Sequence, residues 1–240
     1  MKIHNPHDKY FKAIFSNVEV VKDFLTHFVP PSISMVMDLE TLEPQKDSFI
    51  NDSLRENFSD MLFQVKIQNK NAYLSLLFEH KSTINKMIPV QLLEYMLSIW
   101  RYKQEKAKAA SLPIIFPIVI YHGQQDWTAS SLGEVLEGYH LMPAQIQKYV
   151  PNYEYFLFDV SKYNEEEIKW NVQLHILFLL FRDIYQKDIT EFLHTVYSAI
   201  HYLKKLDDQE TAIQYLETSL RYIINANHQL TKAAYHDIIK

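Results

Sequence analysis

The chain has 240 residues, 48% of them apolar and 22% charged, with only 3 Gly, 9 Pro and no Cys. That composition excludes disordered, collagen-like and low-complexity classes, and the missing cysteines exclude a disulfide scaffold, a thiol nucleophile and a Cys-based zinc site. A net charge of -5 excludes a protein that coats nucleic acid by bulk positive charge, although the balance is uneven: 14 Lys/Arg against 13 Asp/Glu over residues 1–110, and 10 against 16 over 111–240.

In chain order, apolar residues at 10, 11, 14 and 15 predict a helix over His7 to Phe15, and those at 20, 21, 24, 25 and 28 a second over Glu19 to Phe28, stopped by Pro30-Pro31. Met35 to Leu42 reads as a strand and the polar stretch Glu43 to Asn57 as a loop or hairpin. From Asp60 the period becomes two, with Met61, Phe63, Val65 and Ile67 on one face. Tyr73 to Lys81 is the second strand of a hairpin turned at Asn69-Lys70-Asn71. Lys86 to Lys108 reads as a long helix, with Pro89 tolerable in its first turn, and Pro113 to Tyr121 as a central strand ended by His122-Gly123. Tyr155 to Val160 supplies one more strand. Helical pattern then fills Glu165 to Tyr185, Ile189 to Leu206, Gln209 to Ala226 and a segment from Leu230.

The expectation is an α/β protein with a core over 1–160 and a helical region over 161–240. The amino terminus lacks an apolar stretch of signal length, and the longest apolar runs, Ile114 to Tyr121 and Ile176 to Phe181, are of core length. These observations predict a cytoplasmic protein without a membrane partner. Arg101, Lys103, Lys106 and Lys108 form a basic run, read first as a solvated helix face and second as a contact for phosphates.

Two acids are energetically out of place. Glu79 follows Leu74-Ser75-Leu76-Leu77-Phe78 in a strand expected to be buried, where an unpaired carboxylate costs on the order of several kcal/mol. Lys81, two residues on, shares its face. Paired residues of an antiparallel hairpin have a constant sum, so a two-residue turn at Asn69-Lys70 sets Asp60 opposite Glu79, and one at Lys70-Asn71 sets it opposite Lys81. Any even turn there puts Asp60, Glu79 and Lys81 on one face. An odd turn centred on Lys70 sets Asp60 opposite His80, and matching of the apolar faces favours the even case. Two carboxylates suit Mg2+, which keeps waters and room for phosphate, and an ammonium beside them can orient a water and offset negative charge. Such a site would hydrolyse a phosphodiester.

Asp60, then Glu79-His80-Lys81, resembles the D...ExK signature of restriction-endonuclease-like nucleases, and Gln91-Leu92-Leu93-Glu94-Tyr95 resembles the Q-x-x-x-Y element of recombination-type members. More closely, His7-Asp8-Lys9-Tyr10-Phe11-Lys12, Ser59 to Phe63, Leu77 to Ser82, Pro89 to Tyr95 and Pro117 to Gly123 together are similar to the bacterial transposase-like family of recombination-promoting nucleases. The similarity runs in order over about residues 4–127. It implies a restriction-endonuclease-like fold and a Mg2+-dependent DNA endonuclease of recombination and mobile elements, with Mn2+ able to substitute. By position, Asp60 and Glu79 are metal ligands, Lys81 the catalytic lysine and Gln91 a supporting or substrate-touching residue. Asp8 and Tyr95 are additional candidates, and many members have Gln where this chain has Lys81.

Bland readings stand beside these. Asp60 could open a strand, Glu79 and Lys81 could form a structural ion pair, Gln91 could meet solvent, and Asp8 could cap the first helix. No two of His4, His7, His80 and His122 have the i, i+4 spacing of a helical metal pair, which argues against zinc. Gly133 to Gly138 lies on a helix-like stretch rather than a phosphate loop. The rival function is a catalytically inactive DNA-binding or protein-interaction module on the same fold. The helical region is a candidate for DNA contact or for a homodimer that assembles a positive cleft.

Overall fold

The computed structural model describes residues 5–45, 60–79, 84–105, 108, 111–127, 130–168, 171–185, 188–206 and 208–227. The expected loop beyond Gln45, the segment from Leu230, and His80 and Lys81 lie outside the described residues. Contacts group the chain into two compact units, one of 1–28 with 160–240 and one of 29–159. The first two helices therefore cluster with the carboxy-terminal helices, whereas the linear division at 160 gives them to the sheet.

The unit of 29–159 holds a mixed five-stranded sheet in the order β1 (Met37–Gln45), β2 (Asp60–Ile67), β3 (Lys70–Glu79), β4 (Ile114–Tyr121), β5 (Phe156–Asp159). The pairs β1/β2 and β2/β3 are antiparallel, and β3/β4 and β4/β5 parallel. β1 runs past the expected Leu42 through Pro44, which an edge strand tolerates because one side of it makes no ladder. Its register shifts between Asp38 and Glu43, and Thr41 fills the irregularity: its hydroxyl donates to the Asp38 carbonyl (2.6 Å) and accepts from the Lys66 amide (2.9 Å).

The helix α3 (Ile88–Glu105) covers one face of this sheet. Its Tyr95, Met96 and Ile99 pack with Leu62, Tyr73 and Ile115, and its Ile88 and Leu92 with Val119 and Tyr121. Every one of those strand positions is on the face that contains Asp60 and Glu79 by register. The opposite face, carrying Phe63, Val65, Leu74, Leu76, Ile118 and Ile120, is fully buried too. Continuous burial on both faces explains why β4 reads as an uninterrupted apolar run.

The other unit is helical, with α1 (Pro6–Phe15), α2 (Val18–His27), α4 (Val172–Asp183), α5 (Ile189–Leu203) and α6 (Gln209–Ala226). α4 is buried around nearly its whole circumference, from Leu174 to Phe181. It begins at Val172 rather than at Glu165, because Asn171 caps it, its Oδ1 accepting from the amides of Gln173 (2.8 Å) and Leu174 (3.2 Å). Among the described residues no helix is long and apolar enough to cross a membrane. The α/β class expected from sequence is the class observed.

Candidate active site at the open end of the hairpin

The β2/β3 hairpin turns at Gln68-Asn69, with Ile67 paired to Lys70. Both turn residues have positive φ, 50° and 62°, as a two-residue primed turn requires. Asn is among the few residues that adopt this region readily, and the turn forms one residue earlier than the expected Asn69-Lys70 turn and two earlier than the Lys70-Asn71 one. Asp60 is consequently opposite Leu77, not Glu79 or Lys81. The turn is even nonetheless, so parity is kept: Asp60, Leu77 and Glu79 are positions of one face, with Glu79 two steps beyond Asp60's partner. In the body of the hairpin the same face is confirmed by Tyr73, whose hydroxyl donates to Gln64 Oε1 at 2.9 Å.

The structure describes Asp60 and Glu79 as backbone positions opening β2 and closing β3 at the same end of the sheet, and Lys81 is outside the described residues. Across the parallel strands Glu79 pairs with Tyr121, and Tyr121 with Asp159. Three carboxyl ends thus carry Glu79, Tyr121 and Asp159 in one row on one face. Asp159 is 4% exposed. Sequence reading passed over it, although its signal matches that of Glu79: an acid that closes an apolar strand.

The loop ahead of α3 reaches this end. Asn85 Oδ1 accepts from the Met87 amide (3.0 Å), while its Nδ2 donates to Gln91 Oε1 (3.2 Å). Asn85 therefore both caps the approach to the helix and fixes the side chain of Gln91. Pro89 falls in the first turn as expected, and its carbonyl accepts from the Tyr153 hydroxyl. Burial pushes the phenols of Tyr153 and Tyr155 up, the latter to about 12, so both are neutral hydroxyls near pH 7. The loop after β4 is tied in as well: the Gln125 amide donates to Tyr121 Oη (3.3 Å) and its Oε1 accepts from the Ile84 amide (3.1 Å). Tyr121 is fully buried and edge-on to Trp127. A Cβ at Gly123 would come within 2.0 Å of the Tyr121 hydroxyl, so the loop needs glycine there.

Tyr95 is one turn beyond Gln91 and 1% exposed, in the core cluster with Leu62 and Tyr73. Asp8 belongs to the helical unit. Asn5 is the residue before α1, so Asp8 is a first-turn acid rather than the cap, and it pairs with Lys12 at 3.4 Å. Among the described residues no three His, Asp or Glu side chains gather to hold a metal ion. His7 instead meets the Tyr222 hydroxyl at 3.0 Å. Gly133 to Gly138 comprises a 3-10 turn and a left-handed Gly138 (φ 72°), not a helix.

A family model described as "Putative transposase, YhgA-like" matches residues 5–211. Recombination-promoting nuclease RpnA of Escherichia coli K12 is 31% identical over 184 residues, 77% of this chain and 62% of that relative. Recombination-promoting nuclease RpnC of the same strain is 26% identical over 235 residues, 98% of this chain and 75% of the relative. A third K12 protein, named inactive recombination-promoting nuclease-like protein RpnE, is 26% identical over 185 residues, 77% of this chain and 60% of its own. This chain thus spans about three fifths of the length of two of these relatives. No solved structure matches.

Proposed function

The chain belongs to the YhgA-like transposase family, and from that membership we propose that it is a metal-dependent DNA endonuclease acting in recombination. The observation that carries the reading is the hairpin register, which gives Asp60 and Glu79 one face and one end of the sheet. Diagonal positions of this kind are separated by about 7–8 Å, a span that an Asp and the longer Glu close to share one ion. A donor set of two carboxylates fits Mg2+, or Mn2+ in its place, better than it fits zinc. A bound ion of this kind lowers the pKa of a water and offsets phosphate charge.

The chain's own groups do the rest. Lys81, two residues past Glu79, aligns the attacking water and stabilises negative charge on the phosphoryl oxygens. Gln91, held by Asn85, presents its amide from the first turn of α3, where the helix dipole also favours an anion. Tyr95 supports the site from the core, and Asp159 adds acid character to the row of strand ends. A second copy of the chain, as a homodimer, would help form the positive cleft that a net charge of -5 does not supply alone.

Relatives named as nucleases favour activity, and the relative named inactive favours a second reading, a DNA-binding module that has lost cleavage. Purified protein with supercoiled plasmid and Mg2+ decides between them. Nicking or linearisation that EDTA, Asp60→Ala and Glu79→Ala each abolish, with unchanged far-UV circular dichroism, supports the nuclease. DNA binding without any cleavage by the wild type supports the module.

A further inference from the structure

At the opposite end of the same sheet, beside the Gln68-Asn69 turn and under the last turn of α3, lies a groove of about 710 Å³. Two lysines, Lys70 and Lys103, line it together with the amides of Gln68 and Asn71, and no carboxylate does so among the described residues. The Lys103 ammonium sits 4.9 Å over the ring of Tyr73, which is 2% exposed, so a buried aromatic face fixes where that charge stands. Leu112 and Ile114, 52% and 64% exposed, add an apolar wall. Arg101 and Lys108, members of the basic run in the sequence, are exposed.

A lining with charge of one sign, neutral polar side chains and a small apolar wall matches the alternation of phosphate and sugar along a nucleic-acid backbone, and it offers no carboxylate to repel the phosphates. We propose that this groove anchors the DNA backbone beyond the cleaved bond, Lys70 and Lys103 each engaging one phosphate. The assignment rests on the nuclease reading of the hairpin's open end. Seven strand steps separate Asp60 from Ile67, about 23 Å at a rise near 3.3 Å, which is about seven nucleotides of one strand. The anchor is therefore a flank contact, independent of sequence, that acts on duplexes long enough to reach it.

Anisotropy of a labelled duplex in EDTA, titrated with full-length protein at several salt concentrations, reads the proposal without cleavage. Each phosphate contact contributes about -0.9 to the slope of log K against log salt, so K70Q/K103Q is expected to flatten the slope by about 2 and weaken binding about tenfold. K70R/K103R retains the wild-type slope, and on a duplex of about six base pairs wild type and K70Q/K103Q bind alike. An unchanged slope in a K70Q/K103Q protein with wild-type circular dichroism overturns the anchor, as does tighter binding of polyglutamate than of DNA. Loss of cleavage alone, with the slope difference intact, sinks only the nuclease reading. Asp60-dependent cleavage with identical slopes sinks only the anchor.

Discussion

The helical unit and the sheet unit both place acids on packed elements, but the groups the fold sets beside them differ. In the helical unit several polar side chains meet a complementary group at hydrogen-bond distance. The Tyr10 hydroxyl meets Ser219 Oγ at 2.8 Å, and Asn171 donates to Asp23 at 2.7 Å. Asp183, 3% exposed, accepts from Arg182 at 2.7 and 2.8 Å and from Thr195 at 2.7 Å. In the sheet unit, Glu79 and Asp159 are register positions on either side of Tyr121 at neighbouring strand ends, with Asp60 a position of the same face. On the proposed nuclease reading, acids at positions of one face and one strand end bring together charge of one sign, which a divalent cation would offset. The lesson is that burial alone does not mark a site; what the fold sets opposite the buried group does.

The contrast breaks most visibly through the acids. Asp60→Ala or Glu79→Ala is expected to lower cleavage by about 10²- to 10⁴-fold, since a metal supplies several kcal/mol of charge stabilisation and each 1.36 kcal/mol is tenfold. Thermal unfolding should be unchanged or slightly raised, because like charges are removed. A variant that instead melts well below wild type would make these acids structural, as those of the helical unit are.

Asp183→Ala probes the other side. It strands the Arg182 guanidinium and the Thr195 hydroxyl, and a loss of about 3 kcal/mol in urea unfolding is expected. Thr195→Val should cost about 1 kcal/mol. Neither should alter cleavage per folded molecule, and a rate that falls further than the folded fraction would merge the two classes of acid.

The hairpin was legible because Met61, Phe63, Val65 and Ile67 alternate regularly, and matching that face to Leu74 and Leu76 favours an even turn. Its register was not, since positive φ at Gln68 and Asn69 sets the turn one residue before Asn69-Lys70 and two before Lys70-Asn71, which moves the partner of Asp60 from Glu79 or Lys81 to Leu77. Asp159 was overlooked because β5 has only four residues, too few for periodicity to single out its end. The grouping of α1 with α6 depends on contacts such as Tyr10 with Ser219, 209 residues apart, which no local pattern encodes. Asn171, by contrast, is an ordinary helix-cap signal, and it places the start of α4 where hydrophobic spacing alone does not.

Asn85 sharpens the comparison at smaller scale, being a polar group whose complement is itself a candidate site residue. Asn85→Ala removes the Asx contact to Met87 and the hold on Gln91. The expected cost is about 1 kcal/mol of stability together with a cleavage loss of about tenfold, matched by Gln91→Ala without the stability cost. Equal losses of stability in both variants would assign Gln91 to structure.

The smallest effect concerns His175, 1% exposed, whose Nδ1 meets the Ile168 carbonyl at 3.0 Å. Burial holds its imidazole below the usual 6.5, against the opposing pulls of the Ile168 carbonyl and Glu165, while Arg182 and Lys205 add to the lowering. The folded chain therefore binds this proton less tightly than the unfolded chain does. Stability from this residue is complete above about pH 6.5 and is lost as the pH falls from there through the lower folded value, because the unfolded state takes up the proton first. Melting temperatures measured from pH 7.5 down to pH 5 should fall more steeply for wild type than for His175→Gln. Glu165 stands 3.8 Å from Nε2 and accepts from the Tyr202 hydroxyl at 3.3 Å, so a steeper decline in His175→Gln than in wild type would mean that the carboxylate, not burial, governs the ring.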